Sequence, residues 1–509
     1  MTDGSPPRRI QVGWLPEGAA GALAEVVDGA AQRVRRARRG DLLRVHRPYL
    51  PELPAVVTRR ELAVLAGLQG EEGAEVGEVG GDGARRAAVL VDDPERQRRT
   101  TWAWEGGAVL VSGEPRSGRS TALAALVRSM TASGRPCHVV SRSGWGAAGG
   151  GTAVGVDDPR RLRRLLVLLA RGLDPATALV VDDVEQVTEV LDATWGPGTG
   201  LELLTGLLRS GNVPAVALAS TAPHRWATLT DTHLALRVRD LGAAGLLGVP
   251  RPFVDGGAPP GRGVLLGDQP ARLVQVVVEG GTERAGNASE LAPVPVRAPA
   301  LVLAALPAST TLAEIEAAAA ATGRDDGTSR VGPGSVLLGL GGDDARPVRA
   351  ALEPGRPWLV TGPPGSGRST VLELVARAER RSGSVGPASA EPLRVGVGSD
   401  LVPRAVPPDC LVLVDDADLL DAATADALAD LVPRCRVVVV VGPAATQTIY
   451  RGIVAAVAQA RTVIALGGAL PPHLSRARDA VDPRGGPGRA VLVTARDAVA
   501  VQIARPPPA

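Results

Sequence analysis

Two glycine-rich segments carry the residue types most suited to chemistry in this sequence of 509 residues. They read Gly-Glu-Pro-Arg-Ser-Gly-Arg-Ser-Thr at 113–121 and Gly-Pro-Pro-Gly-Ser-Gly-Arg-Ser-Thr at 362–370. In such a loop, glycines let backbone N–H groups surround phosphates, and the hydroxyl after the basic residue reaches Mg²⁺. The predicted phosphate-binding residues are Gly113, Ser117, Gly118, Arg119, Ser120, Thr121, Gly362, Gly365, Ser366, Gly367, Arg368, Ser369 and Thr370.

Arginine occupies the position at which this P-loop pattern has lysine, as Arg119 and as Arg368. Lysine offers a compact ammonium, whereas arginine offers a planar fork that binds phosphate but places its charge differently during phosphoryl transfer. The sequence contains no lysine, so all 56 basic residues are arginine, and a compositional bias alone could produce the exchange. The pattern therefore predicts nucleotide binding and leaves hydrolysis open.

A pair of aspartates follows an apolar run in each half of the chain, at 182–183 and at 415–416. In the Walker B element of nucleotide-binding proteins, the aspartate after such a strand holds Mg²⁺. The predicted metal ligands are Ser120, Asp182, Ser369 and Asp415. The second acids, Asp183 and Asp416, are the predicted catalytic residues. They are one methylene shorter than the glutamate that RecA-like ATPases usually have there, so hydrolysis of ATP is predicted to be weak or absent.

The elements around these residues predict an α/β fold. Each glycine-rich segment follows an apolar run, at 108–111 or 358–360, and opens a helical pattern, at 122–128 or 371–377. Ordinary strand-end turns are the alternative interpretation. The runs at 215–219 and 437–441 are typical of buried parallel strands. After the first of them, Ser220-Thr221 could sense a phosphate, whereas Gly442-Pro443 after the second has no hydroxyl.

Further landmarks repeat with similar spacing and indicate a duplicated domain. Pro-Gly-Arg occurs at 260–262 and 487–489, each followed by a glutamine among β-branched residues, and Leu-Pro precedes each half at 53–54 and 306–307. The predicted organisation is an N-terminal helical, basic segment at 1–45, a first P-loop domain at 46–284, a linker at 285–297 and a second P-loop domain at 298–509. Arg262 and Arg489 either form turns or contact a neighbouring subunit's nucleotide.

The order of these motifs resembles the FtsK/SpoIIIE family of RecA-like ATPases. Leu-Leu-Gly-Val-Pro at 246–250 followed by Pro-Gly-Arg is similar to the downstream domains of multi-ATPase actinobacterial members, as in EccC of type VII secretion. The resemblance covers about residues 45 to 505 and implies two tandem RecA-like P-loop domains with parallel sheets flanked by helices. It also implies ATP and Mg²⁺ as cofactors, homo- or hetero-oligomerisation with an upstream membrane-anchored ATPase, and either a secreted protein or double-stranded DNA as the substrate.

Composition narrows these alternatives. No apolar stretch approaches the roughly 20 residues of a membrane helix and no signal peptide is evident, so a cytoplasmic location is predicted, with membrane association only through a partner. The three cysteines lack metal-binding spacing. A net charge of +2 and an aromatic content of 2% give little support to nucleic-acid binding. The arginines at 33–39 indicate a solvated helix end, with a nucleic-acid or lipid contact as the alternative.

These observations predict an ATP-binding, FtsK/SpoIIIE-type translocase component with two degenerate sites, which serves as a regulatory or substrate-binding part of a type VII secretion-like assembly. Two alternatives remain open. One is an ATP-driven translocase of double-stranded DNA, and the other is a non-hydrolysing module in which bound nucleotide stabilises an assembly by mass action.

Overall fold

The computed structural model describes residues 28–29, 51–62, 83, 86–96, 98–142, 145, 151–278, 300–322, 334–382, 391–399 and 406–507. By its internal contacts the chain divides into Met1–Pro51 and Glu52–Ala509. Of the predicted basic segment at 1–45, only residues 28 and 29 are described, and the predicted linker at 285–297 lies outside the described residues. The domain boundaries therefore stay a prediction.

The first glycine-rich segment belongs to an eleven-stranded sheet. Its strands are β1 (Val57–Thr58), β2 (Val89–Asp93), β3 (Arg98–Trp102), β4 (Gly107–Gly113), β5 (Cys137–Ser141), β6 (Ala153–Gly155), β7 (Ala178–Val181), β8 (Ala215–Ser220), β9 (Thr232–Leu236), β10 (Arg262–Leu266) and β11 (Arg272–Val278). They lie in the order β3-β2-β11-β10-β9-β4-β8-β7-β5-β6, and β1 pairs with β11. Strand β4 pairs in parallel with β8 and β9, whereas β10, β11, β2 and β3 continue the sheet in antiparallel pairs.

The helices that accompany this sheet include α1 (Arg119–Ala132), α2 (Pro159–Ala170), α3 (Val184–Trp195), α4 (Thr199–Ser210) and α5 (Leu241–Leu247). Helix α2 begins at a proline, whose fixed φ suits a first helical position, and Asp158 caps it by accepting from the backbone N–H of Arg161 at 3.0 Å. Apolar side chains of α1 pack on one face of the sheet and those of α2, α3 and α4 pack on the other. These strands and helices form what we call the first lobe.

The second glycine-rich segment belongs to a nine-stranded sheet of the same design. Its strands are β12 (Ser335–Gly341), β13 (Arg346–Ala351), β14 (Trp358–Thr361), β15 (Leu393–Val395), β16 (Leu411–Val414), β17 (Arg436–Val441), β18 (Thr462–Leu466), β19 (Arg489–Val493) and β20 (Ala498–Ile503). The order β13-β12-β20-β19-β18-β14-β17-β16-β15 repeats that of the first sheet, with β14 in the place of β4. Its helices are α6 (Leu312–Thr322), α7 (Arg368–Ser382), α8 (Ala422–Ala429), α9 (Ala445–Thr448) and α10 (Gly452–Val457). This is the second lobe.

Short 3₁₀ segments complete the two lobes, at Pro94–Arg96, Pro223–Arg225, Ala227–Leu229, Arg251–Phe253, Ala417–Leu419 and Pro472–Ala480. The predicted α/β class with two largely parallel sheets flanked by helices is confirmed, as are the strands predicted at 215–219 and 437–441. Among the described residues, no helix is both long enough and apolar enough to cross a membrane.

The start of the second repeat lies against the first lobe. We call residues 300–304 the strap. The backbone N–H of Leu301 donates to Asp174 Oδ2 at 2.6 Å, and the Thr152 hydroxyl bridges the carbonyl of Leu301 and the N–H of Leu303 at 2.8 and 2.9 Å. The Leu303 side chain is buried in the core of the first lobe. Beside the strap, the guanidinium of Arg164 forms a two-pronged ion pair with Asp343 at 2.8–3.2 Å. The lobes are therefore joined by specific polar contacts.

Candidate functional site

The first glycine-rich loop connects β4 to α1 at the edge where the parallel strands have their carboxyl ends. Gly118 caps α1 with a left-handed φ of 100°. A Cβ on Gly113 would lie 2.5 Å from Ser117 Oγ and 2.8 Å from the carbonyl oxygen of Leu236. Both positions therefore require glycine, the first for its backbone angle and the second also for space. Thr121 follows in the first turn of α1, on the exposed side.

The second loop has the same geometry between β14 and α7. Gly367 has a φ of 106° and Gly365 a φ of 77°. A Cβ on Gly362 would lie 2.6 Å from Ser366 Oγ and 2.8 Å from Leu466 Cβ. The hydroxyl oxygens of Ser117 and Ser366 are buried and have no hydrogen-bond partner among the described residues. Each packs against the first glycine of its own loop, so the two loops share the same internal packing.

The repeated Pro-Gly-Arg motif supports each loop from behind. The backbone N–H of Gly261 donates to the carbonyl of Ser117, and that of Gly488 donates to the carbonyl of Ser366, both at 2.8 Å. The glutamine that follows each motif holds the turn, because Gln275 Nε2 donates to the carbonyl of Pro260 at 3.1 Å. Gln502 makes the same bond in the second lobe at 3.2 Å. The repeated motif is thus a support for the phosphate-binding loop.

The arginine of each motif anchors the support to the start of its repeat. Arg262 Nη2 donates to the carbonyls of Leu53 and Pro54 at 2.7 and 3.0 Å, and its Nε donates to Gln275 Oε1 at 3.0 Å. Arg489 Nη2 likewise donates to the carbonyls of Leu306 and Pro307, both at 3.3 Å. Both guanidinium groups are engaged within their own lobe. This geometry favours the structural interpretation of these arginines over a contact with a neighbouring subunit's nucleotide.

The predicted metal ligands are brought together in the second lobe and held differently in the first. Ser369 Oγ donates to Asp415 Oδ2 at 3.0 Å, so the two predicted ligands face each other. In the first lobe no hydrogen bond joins Ser120 to Asp182. Instead, the Trp145 indole N–H donates to Asp182 Oδ2 at 3.4 Å. Trp145 was not among the predicted site residues, since a lone tryptophan in a glycine-rich stretch carries no signal for this contact.

The two P-loop arginines have different partners. Arg119 Nη1 donates back to the carbonyl of Gly113 at 3.0 Å, within its own loop. Arg368 Nη2 forms an ion pair with Asp416 Oδ1 at 2.9 Å, and only 15% of the Arg368 side chain is exposed. In the second lobe, therefore, the predicted phosphate contact and the predicted catalytic acid neutralise each other.

The second acids share an uncommon backbone conformation. Asp183 has a φ of 57° and Asp416 a φ of 45°, both in the left-handed region. This conformation costs a residue with a Cβ on the order of 1 kcal/mol or more, and it is concentrated at functional sites. The same conformation occurs at the equivalent residue of both lobes. In each lobe it sets the direction in which the chain continues after the Walker B strand.

Sequence analysis missed a further carboxylate two positions after each of these acids. Glu185 accepts a short hydrogen bond from the Ser220 hydroxyl and further bonds from the backbone N–H groups of Thr221 and Ala222 at 3.2 and 3.3 Å. Asp418 accepts from the backbone N–H of Gly442 at 3.1 Å in the second lobe. The predicted sensor Ser220 is thus buried and bonded to Glu185. The shared offset from the aspartate pair was the available signal.

A buried histidine lies behind the first loop. His233 Nε2 and Ser112 Oγ, one residue before Gly113, are 2.6 Å apart. Burial lowers the pKa of His233 from 6.5 to about 4, so the ring is neutral at pH 7. Burial also lowers the pKa of His138, against the opposing effect of its hydrogen bond to Asp174. Both rings therefore favour folding only while they are uncharged.

Acidification is expected to destabilise the protein through His233. Between pH 6.5 and about pH 4 the unfolded chain takes up a proton that the folded chain does not, so stability is complete above pH 6.5 and falls as the pH falls. From pH 7 to pH 5 this amounts to about 2 kcal/mol. Thermal unfolding of the wild type should lose more between pH 7 and pH 5 than that of His233→Gln. His473→Gln, at an exposed histidine, serves as the control. Parallel curves for the wild type and His233→Gln would contradict the assignment.

Mg²⁺ and a nucleotide are compatible with these residues. No cluster of three or more His, Cys, Asp or Glu side chains suited to a metal occurs in the described part of the chain. Mg²⁺ commonly uses one or two protein ligands together with phosphate oxygens, and the Ser369–Asp415 pair provides such a set. The exposed Ser120 and Ser369, each in the first turn of its helix, fit contacts with phosphate oxygens and Mg²⁺.

Solved structures with a similar fold were found, although no protein-family model matches the sequence and comparison with curated proteins gives no match. EssC (ATPases 2 and 3) from Geobacillus thermodenitrificans is similar with a TM-score of 0.50 and 14% identity, covering 90% of this chain and 100% of that one. Thermomonospora curvata EccC (ATPases 2 and 3), in complex with a signal sequence peptide, gives 0.50 and 18%, covering 85% and 94%.

The cytoplasmic domain of the Thermomonospora curvata type VII secretion ATPase EccC gives a TM-score of 0.51 at 18% identity, covering 93% of this chain and 66% of that one. These likenesses show the fold alone: two tandem α/β domains like the ATPase domains of EccC and EssC. The resemblance predicted from the motifs is thereby confirmed at the level of the fold.

Proposed function

We propose that this chain, with the fold of tandem EccC-type ATPase domains, binds ATP and Mg²⁺ in both lobes and turns ATP over slowly or not at all. The observation that carries this proposal is the pair of matching loops, each supported by a Pro-Gly-Arg turn and followed by an exposed serine in the first turn of a helix. Ser120 with Asp182, and Ser369 with Asp415, would ligate Mg²⁺. Bound Mg²⁺ would neutralise charge on the phosphates.

Weak turnover follows from the two acids proposed to position water. Asp183 and Asp416 are shorter than the usual glutamate, and Asp416 is held by Arg368 at 2.9 Å. The Arg368 guanidinium occupies Asp416 Oδ1, so this oxygen is not free to orient an attacking water. Phosphates that compete for Arg368 would have to break this pair. Binding with little hydrolysis is the outcome that this geometry favours.

We further propose that the chain is a regulatory or substrate-binding part of a type VII secretion-like assembly. The support is the shared fold with EccC and EssC, including a solved EccC structure that holds a signal sequence peptide. The partners in this proposal are a secreted protein and an upstream, membrane-anchored ATPase. The net charge of +2 gives no general attraction to DNA phosphates. We therefore do not favour a DNA translocase, and the hydrolysis experiment below tests that alternative.

Replacement of the Walker B aspartates tests this proposal. Binding of a fluorescent ATP analogue to the purified chain should give two nucleotides per chain, with affinity that depends on Mg²⁺. Asp182→Asn combined with Asp415→Asn should weaken Mg²⁺-dependent binding at least about tenfold, the equivalent of one lost charged contact. Asp268→Asn, at an exposed aspartate, is the matched control.

Steady-state hydrolysis of ATP separates the functional classes. We expect slow turnover that long duplex DNA does not change. Turnover that DNA stimulates and the double aspartate variant abolishes would make the chain a DNA motor. A chain that binds no ATP analogue at all would refute the proposed function.

A further inference from the structure

A cavity of about 400 Å³ lies between the two lobes, away from both glycine-rich loops. The first lobe contributes Arg160 and Arg164 from the beginning of α2. The second lobe contributes the turn that follows β12, the 3₁₀ segment Pro472–Ala480 and the beginning of β20 with the two residues before it. Its volume lies within the range of small-molecule sites, which is roughly 300–1,000 Å³.

The walls of this cavity are rich in arginine. Besides Arg160 and Arg164 they include Arg476 and Arg496. Three aspartates also line it, but two of them have arginine partners: Asp343 pairs with Arg164 and Asp479 pairs with Arg163.

Three of the lining arginines, Arg160, Arg476 and Arg496, and one lining aspartate remain after these ion pairs are counted. Asp497 is the third aspartate, and its Oδ1 already accepts from a backbone N–H at 2.8 Å. No salt bridge joins Arg160, Arg476 or Arg496 to a carboxylate in the described part of the chain, although Arg476 donates to a backbone carbonyl at 3.3 Å. The cavity therefore carries a surplus of positive charge.

Arg160 is the unusual member of this group. It is only 6% exposed, yet its side chain forms no hydrogen bond or ion pair with any described residue. Arginine side chains with so little exposure usually have a carboxylate partner. Repulsion from Arg160 also contributes, after burial, to the lowered pKa of Arg489 in the second lobe. The Arg160 guanidinium lines the cavity and is not among the fully buried side-chain groups, so its charge is accessible to an anion that enters there.

We propose that the cavity between the lobes is a binding site for a small anion with two or more phosphate groups. Guanidinium groups bind phosphate oxygens through paired, charge-assisted hydrogen bonds, and a single phosphate would leave part of this space and charge unused. Since Arg160 comes from the first lobe and Arg476 and Arg496 come from the second, the bound anion would join the lobes. This proposal does not rest on nucleotide binding at the loops.

Titration calorimetry with inorganic pyrophosphate tests the site. The full-length chain should bind pyrophosphate, and Arg160→Gln should weaken that binding at least about tenfold, as expected for one lost charge-assisted contact. Arg209→Gln, at an exposed arginine on α4 without a side-chain partner among the described residues, should bind like the wild type. If Arg160→Gln fails to fold, Arg496→Gln on the exposed rim replaces it and should show a smaller loss in the same direction.

A variant of the two glycine-rich loops separates pyrophosphate binding in the cavity from pyrophosphate binding at the loops. The combined variant Gly113→Ala and Gly362→Ala should keep pyrophosphate binding, and adding Arg160→Gln should weaken it at least about tenfold, as in the wild type. Titration with ADP in that background shows whether the phosphates are recognised as part of a nucleotide or alone. The proposal is overturned if Arg160→Gln and Arg496→Gln both bind as the wild type does, or if the glycine variant binds no pyrophosphate.

Discussion

Gly113→Ala is expected to abolish nucleotide binding in the first lobe while the second lobe keeps its affinity. The added Cβ would lie 2.5 Å from Ser117 Oγ and 2.8 Å from the backbone oxygen of Leu236, at a φ of 154° that residues with a Cβ rarely adopt. The oxygen of Leu236 belongs to a central strand and cannot yield, so the loop itself must move. Strain of about 3 kcal/mol at this position corresponds to a loss of affinity of about 100-fold.

The stoichiometry of ATP-analogue binding measures this effect. It should fall from two nucleotides per chain to one. Gly206→Ala is the matched control: Gly206 is exposed in the middle of α4, and a Cβ there would meet nothing within 4 Å. That change should leave binding intact and stabilise the helix by up to about 1 kcal/mol. Two nucleotides bound to Gly113→Ala would show that the first loop is not the binding site.

Arg262→Ala is expected to destabilise the first lobe and to weaken its nucleotide site together. The change removes three hydrogen bonds from a charged group and leaves the carbonyls of Leu53 and Pro54 without this donor. We expect a loss of about 3 kcal/mol, because a hydrogen bond to a charged group contributes about 1.5–3 kcal/mol and water replaces part of it. The Gly261 support of the Ser117 carbonyl would loosen as a result.

Thermal unfolding and nucleotide titration of the same variant distinguish the two interpretations of this arginine. A residue that reaches a neighbouring subunit's nucleotide would lower turnover in the assembly and leave the melting temperature unchanged. Arg262→Lys should behave almost as badly as Arg262→Ala, since an ammonium cannot bridge two carbonyls and a glutamine as the planar fork does. Arg209→Ala on the surface of α4 should leave both measurements unchanged. An unaltered melting temperature for Arg262→Ala would contradict the anchoring role.

The sequence was sufficient to predict the fold because its landmarks repeat. The glycine-rich loops, the aspartate pairs and the Pro-Gly-Arg turns have local signatures that depend on backbone geometry, and geometry of this kind follows from a few neighbouring residues. The structure places each pair of landmarks at equivalent positions in the two sheets. The antiparallel extension by β10, β11, β2 and β3 was not predicted, since no local pattern specifies which distant strands pair.

Side-chain partners in the site were largely beyond sequence analysis. The pairs Arg368–Asp416 and Trp145–Asp182 form across 48 and 37 residues, and many rotamers of a long side chain fit one sequence pattern. Glu185 was within reach, because an acid stands at the same offset in both repeats. Its bonds to the residues after β8 still depend on the order of the strands, which only the folded chain reveals.

The strap makes the folded first lobe longer than the first sequence repeat. By sequence, residues 300–304 begin the second repeat, yet their backbone satisfies Thr152 and Asp174 in the first lobe, and Leu303 completes its core. The strap thus belongs to the second repeat by sequence but packs in the first lobe. A cut between the two repeats would separate residues 300–304 from the first lobe. The first lobe would then expose the apolar surface that Leu303 covers, and the second lobe would begin with a segment that has lost its partners. A first lobe produced without residues 300–304 would therefore lack part of its own core.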